Sequence, residues 1–116
     1  MKIIRLKDIQ KEEKNGYSIK RLFTLPLSKK PDNVGLYETT IPLGSVCGHH
    51  YHENLDEIIF FLTKGRIRSN DKIYDVEPGD LLFLYPGDKH EFIADDNEIR
   101  LIAIKLPNIV DDKVKC

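Results

Sequence analysis

The sequence predicts an all-β fold, an antiparallel sandwich or barrel of short strands. Three observations predict it. Short runs rich in Ile, Leu, Phe and Tyr recur along the chain, turn-forming clusters separate them at regular intervals, and only one stretch has any helical character.

That stretch, 6–14, is too short and too weakly patterned to hold as a helix. In 34–41, Val34, Leu36, Glu38 and Thr40 alternate with Gly35, Tyr37, Thr39 and Ile41, the period of a strand, and Pro42-Leu43-Gly44 closes it. Further strands are expected at 57–63, 72–76, 81–85, 90–94 and 98–106. Between them stand Lys64-Gly65, Ser69-Asn70-Asp71, Glu77-Pro78-Gly79-Asp80, Pro86-Gly87-Asp88 and Asp95-Asp96-Asn97, all good turn formers. Neither a repeat nor a linker divides the chain, so residues 1–116 are expected to form a single domain.

Composition excludes several classes. With 116 residues, 41% of them apolar and 32% charged, the chain reads as globular and soluble. A fold of this size buries roughly two-thirds of the unfolded surface, so it needs no disulfide to stay folded. The apolar runs 58–62 and 81–86 are far too short to span a bilayer, and no apolar segment follows a basic start as a secretory signal would. Cys47 and Cys116 form no CxxC pair, and a reducing cytoplasm is the expected location.

Charge is unevenly distributed. Residues 1–30 carry nine Lys and Arg against three Asp and Glu, whereas the remainder carries nine against sixteen. The basic residues alternate with Ile3, Leu6, Ile9, Ile19, Leu22 and Leu25 and lack the aromatic interleaving of a nucleic-acid arm. The expectation is a basic N-terminal strand segment packed on an acidic body, its own or a second subunit's, with neither nucleic acid nor membrane as partner.

Three of the four histidines fall in Gly48-His49-His50-Tyr51-His52. In a strand, His50 and His52 share one face and His49 and Tyr51 the other. Two imidazoles about 7 Å apart along a strand can converge on one metal ion. Glu53, Asp56 and Glu57 follow closely, and His90 opens another strand after Pro86-Gly87-Asp88-Lys89.

These residues carry a family resemblance. Gly44, His50, His52, Glu57 and Gly65 resemble the first motif of the cupin superfamily, G-x5-H-x-H-x3-4-E-x6-G, with Gly65 one place late. Gly79, Gly87 and His90 resemble the second, G-x5-P-x-G-x2-H-x3-N, with Tyr85 and Ala94 at the proline and asparagine positions and Pro86 beside the first. The two motifs and the loop between them cover about half of the chain. The resemblance implies a double-stranded β-helix, a jelly-roll barrel of two antiparallel sheets. It implies His50, His52, Glu57 and His90 as ligands of one divalent transition metal among Fe, Mn, Ni, Co, Cu and Zn. Asp56 also satisfies the looser spacing, although it is shorter and puts Gly65 further out of register.

The function expected from the resemblance is a metal-dependent enzyme, of dioxygenase or isomerase type, acting on a small oxygenated metabolite, in a homodimer. The alternative is a non-catalytic module binding a metal or a small, sugar-like ligand. Ile59, Phe61, Leu81, Phe83 and Phe92 are the apolar residues expected around such a site, mainly as core. Cys47, three before His50, belongs on the opposite face unless Gly48 introduces a bulge. Strand parity leaves open which way Tyr37, Arg100 and Lys105 point, and an inward cation there would bind an anionic substrate.

Overall fold

The computed structural model describes residues 1–116. Twelve strands form: β1 (Lys2–Ile4), β2 (Lys11–Glu13), β3 (Ser18–Lys20), β4 (Gly35–Ile41), β5 (Val46–His52), β6 (Asp56–Phe61), β7 (Gly65–Ser69), β8 (Lys72–Val76), β9 (Leu81–Leu84), β10 (His90–Ile93), β11 (Ile99–Leu106) and β12 (Lys113–Lys115). Two five-stranded antiparallel sheets result, in the orders β1-β9-β6-β11-β4 and β12-β5-β10-β7-β8. The β2–β3 hairpin stands outside both. The stretch 6–14 gives only a 3-10 turn at Leu6–Asp8, and no helix is long and apolar enough to cross a membrane.

Alternation builds the core. Ile59 and Phe61 of β6 point inward with Ile99, Leu101 and Ala103 of β11, and meet Ile67, Val76 and Phe92 of the other sheet in one buried cluster. Outward positions on the same strands carry charge, as Arg100 does, where it reaches Glu38 of β4 at 2.7 Å. Strand β9 departs from this pattern because all four of its residues are buried. Leu82 and Leu84 join the core, whereas Leu81 and Phe83 face the other way. This corrects the expectation that Leu81 and Phe83 line the site. Their outer face is covered by the N-terminal segment, whose Phe23 ring meets Phe83 edge-on at 5.6 Å.

The same segment explains part of the charge asymmetry within one chain. Strand β1 extends the first sheet by pairing with β9. The Met1 ammonium lies 2.7 Å from Asp88, and Arg5 reaches Asp80 at 3.3 Å. Asp80 is 3% exposed and accepts hydrogen bonds from the backbone N–H of Leu6 and of Glu77. It thereby ties the turn before β9 to the start of the 3-10 turn after β1. Gly79, at φ +90°, takes a left-handed conformation, and an added Cβ would sit 2.5 Å from Leu6 Cδ2.

Removing Asp80 takes the acceptor from two part-buried N–H donors and the partner from Arg5. Asp80→Ala should lower unfolding free energy by about 1–3 kcal/mol in urea denaturation, and an unchanged midpoint would show that the N-terminal segment is not pinned there.

Candidate metal centre

The site lies between the two sheets and is assembled from three strands. His50 and His52 project from β5, Glu57 from β6 and His90 from β10, and all four side chains are buried. Nitrogens of His50, His52 and His90 lie within 4.8 Å of one another. Glu57 Oε1 sits 3.5 Å from His52 Nε2 and 3.6 Å from His90 Nε2. The four residues singled out from the sequence are therefore brought together.

The neighbouring candidates are placed elsewhere. Asp56 is wholly buried but faces the outside of β6, where its carboxylate accepts from Ser28 N–H at 2.7 Å. Glu53 is exposed, and His49 points away from the cluster with Nδ1 3.6 Å from Cys116 Sγ. Of the two carboxylates with plausible spacing, only Glu57 can share an ion with the histidines.

Pairing of β5 with β10 does the positioning. His50 lies opposite His90, but Phe92 lies opposite Cys47, so two residues of β10 span three of β5. That extra residue is a β-bulge in the segment containing Gly48 and His49. It reverses the parity of everything before it. Cys47 therefore turns inward and lines the same cavity as His50, which is the exception the sequence left open. The turn before β10 is fixed by Gly87, whose N–H donates to His52 O at 2.8 Å.

Hydrogen bonds prepare the rings. His50 Nδ1 donates to Gly48 O at 2.7 Å and His90 Nδ1 to Asp88 O at 3.0 Å. A carbonyl only accepts, so each neutral ring carries its proton on Nδ1 and presents an Nε2 lone pair. His90 Nε2 is buried without a hydrogen-bond partner, 3.6 Å from Glu57 Oε1. Unpartnered buried nitrogen is costly, and a carboxylate beside it is the donor set that a borderline divalent ion completes.

Electrostatics agree with this. Burial foremost, then the nearby His90, Lys113 and His52, outweigh the bond to Gly48 and lower His50 to about 4. Burial works to raise the Glu57 carboxyl, but the facing His52 and His90 rings prevail and hold it at about 2. Near neutral pH the cluster thus offers a neutral imidazole at His50 and a carboxylate at Glu57.

A cavity of about 280 Å³ opens on His50, His52 and Glu57. Ile59, Phe92, Leu101 and Ala103 form its apolar wall, and Tyr37, Glu38, Thr39, Lys105 and Lys113 add polar groups. Of the three side chains whose direction was open, Tyr37 and Lys105 point inward and Arg100 outward.

The His50 shift makes a prediction for the metal-free protein. The unfolded chain takes up a proton near pH 6.5, and the folded chain refuses it until about pH 4. Stability is thus fully present above 6.5 and lost as pH falls through that window. Thermal melts should decline over it, less steeply in His50→Gln, and equal slopes in the two proteins would contradict the assignment.

Comparison with known proteins follows the same lines. The family model described as AraC-like ligand binding domain matches residues 44–112, more than half of the chain. L-ectoine synthase of Rhodococcus opacus (strain B4) is 29% identical over 87 residues, covering 72% of this chain and 65% of the relative. The chain thus spans less than two-thirds of that relative's length. Among solved structures, DMSP lyase DddQ from Ruegeria pomeroyi aligns with a TM-score of 0.65 at 21% identity, over 72% of this chain and 43% of the other. A cupin-like protein from Thermotoga maritima gives 0.64 at 21%, over 72% and 65%. Bacillus subtilis oxalate decarboxylase, studied for its Mn(II) centres, gives 0.61 at 17%, over 72% and 24%. These likenesses show the double-stranded β-helix fold, and with the family match they establish that the chain belongs to the AraC-like ligand binding domain family of the cupin superfamily.

Proposed function

We propose that this cupin holds one divalent transition metal through His50, His52, Glu57 and His90 and works as a metal-dependent enzyme on a small oxygenated metabolite. One observation carries the reading: three imidazoles whose nitrogens lie within 4.8 Å of one another, with Glu57 against two of them. Nitrogen and carboxylate donors of this kind suit Mn, Fe, Co, Ni, Cu or Zn. The likeness to an oxalate decarboxylase with Mn(II) centres supports Mn among them.

When bound, such an ion supplies a Lewis acid for polarising a substrate oxygen. The chain's own residues do the rest. Backbone carbonyls of Gly48 and Asp88 hold the His50 and His90 rings in the tautomer that leaves Nε2 free. Glu57 brings negative charge to the histidine cluster. The apolar wall of Ile59, Phe92, Leu101 and Ala103 limits water around the reacting group and strengthens every charge interaction there. The relatives are named as a synthase, a lyase and a decarboxylase, which supports Lewis-acid chemistry ahead of O2 chemistry.

A second reading has its own support, since the matching family is described by ligand binding. Under it the same cavity would hold a small molecule without turnover. Carboxylate-bearing and carbonyl-bearing metabolites incubated with the metal-loaded protein separate the two, because consumption supports the enzyme and saturable binding without consumption supports the module.

Protein purified without a metal-chelating column should contain about one equivalent of metal, expected for a single four-ligand site. His50→Ala and His52→Ala should each weaken affinity by more than about 100-fold, since removing a ligand costs more than disturbing its support. His49→Ala, with its ring on the other face, should bind as the parent does. Elemental analysis and calorimetric titration read all three, and an equal loss in His49→Ala would overturn the ligand assignment.

A further inference from the structure

The proposed ligand set uses no cation, yet two lysines line the same cavity. Lys105 stands opposite Glu57 in the β11–β6 ladder, on the inward face it shares with Leu101 and Ala103. Its ammonium lies 5.3 Å from the centre of the Tyr37 ring, within cation–π range. That ring is itself anchored, because the Tyr37 hydroxyl donates to Asn108 Oδ1 at 2.6 Å. Lys113 stands opposite His52 in the β12–β5 ladder.

Neither ammonium forms an ion pair within the chain. The nearby carboxylates are committed elsewhere. Glu57 faces His52 and His90, Glu38 is paired with Arg100 at 2.7 Å, and Asp112 accepts from Asn54 N and Asn54 Nδ2, both at 2.8 Å. The Asp112 contact also holds the start of β12 against the loop after β5, which keeps Lys113 at the cavity mouth. The same cavity also carries Glu38 and Glu57, but with those carboxylates facing Arg100 and the histidines, two ammonium groups outside any ion pair beside an apolar wall favour a negatively charged occupant.

We propose that Lys105, seated on the Tyr37 ring, and Lys113 form an anion subsite, so that the ligand of this cavity is a small carboxylate whose charged end reaches the lysines from the histidine cluster. The volume of about 280 Å³ fits a small metabolite. Carboxylate is favoured over phosphate by the lining, which offers two point charges and neither an arginine fork nor a helix N-terminus. The proposal rests on the metal reading only for the other end of the ligand.

Malonate and succinate are the probes, their neutral diamides the controls, and inorganic phosphate the competing anion. Calorimetric titration of Mn-loaded protein, with metal content measured alongside, should show dicarboxylate binding that the diamides lack. Lys105→Met should weaken it by about 10-fold or more, the cost of losing a charge-assisted contact, at unchanged Mn stoichiometry and melting temperature. Lys105→Arg should restore much of the affinity, and the surface variant Lys64→Met should behave as the parent. Dicarboxylate binding that survives Lys105→Met, equal binding of the diamides, tighter binding of phosphate, or no binding by the parent protein would each overturn the proposal. Lys105-dependent binding in protein that takes up no Mn would sustain the anion subsite while the metal reading failed.

Discussion

The pairing of β5 with β10 is the constraint on which the site depends. Its register sets His50 against His90, with ring centroids 4.2 Å apart, and the bulge beside Gly48 sets Cys47 inward below them. A slip by one residue would send His50 and His52 to the outer face and bring His49 and Tyr51 in. The turn before β10 guards against such a slip, because Gly87 N–H bonds directly to His52 O and Asp88 accepts from Tyr85 N–H. Asp88 also meets the chain's amino terminus, so the β1 edge, the turn and the histidine cluster are mechanically linked.

Stability and chemistry are divided along the barrel. Ile67, Val76, Leu82, Ile99 and their neighbours form a buried apolar cluster, of which only Ile59, Phe92, Leu101 and Ala103 reach the cavity. The histidine cluster sits at its end with buried nitrogens lacking partners, a local cost that the apolar core offsets. Such partition lets residues at the mouth change while the barrel persists, which is why one fold can serve a synthase, a lyase, a decarboxylase and a ligand-binding domain. In this chain the histidines are surrounded by Glu57 among them, Cys47 beside them, and Tyr37 and Lys105 on the facing wall.

Much of this was legible in the residues. Alternation and turn chemistry gave the strands around 35–41, 56–61, 72–76, 81–84, 90–93 and 99–106 to within a few positions. Parity alone separated His50 and His52 from His49, and put Glu57 on the face of Ile59 and Phe61. Strand β7 escaped because Arg66 and Arg68 flank a single buried Ile67, and those charges are answered across strands, by Asp75 of β8, Glu91 of β10 and Asp95 beyond it. The inward turn of Cys47 needed the cross-strand register to reveal it. So did Tyr37 and Lys105, since alternation says which residues share a face but not which face is the inner one. Leu81 and Phe83 misled for a related reason: with both faces of β9 covered, four consecutive apolar residues conceal the alternation.

X-ray absorption spectroscopy of the Mn-loaded protein, with Glu57→Gln beside it, tests the central claim most directly. Three imidazoles and one carboxylate oxygen from the protein are expected in the parent, with the imidazoles retained and the carboxylate signature lost in the variant. Fewer than three imidazoles in the parent, or identical spectra from the two proteins, would contradict it.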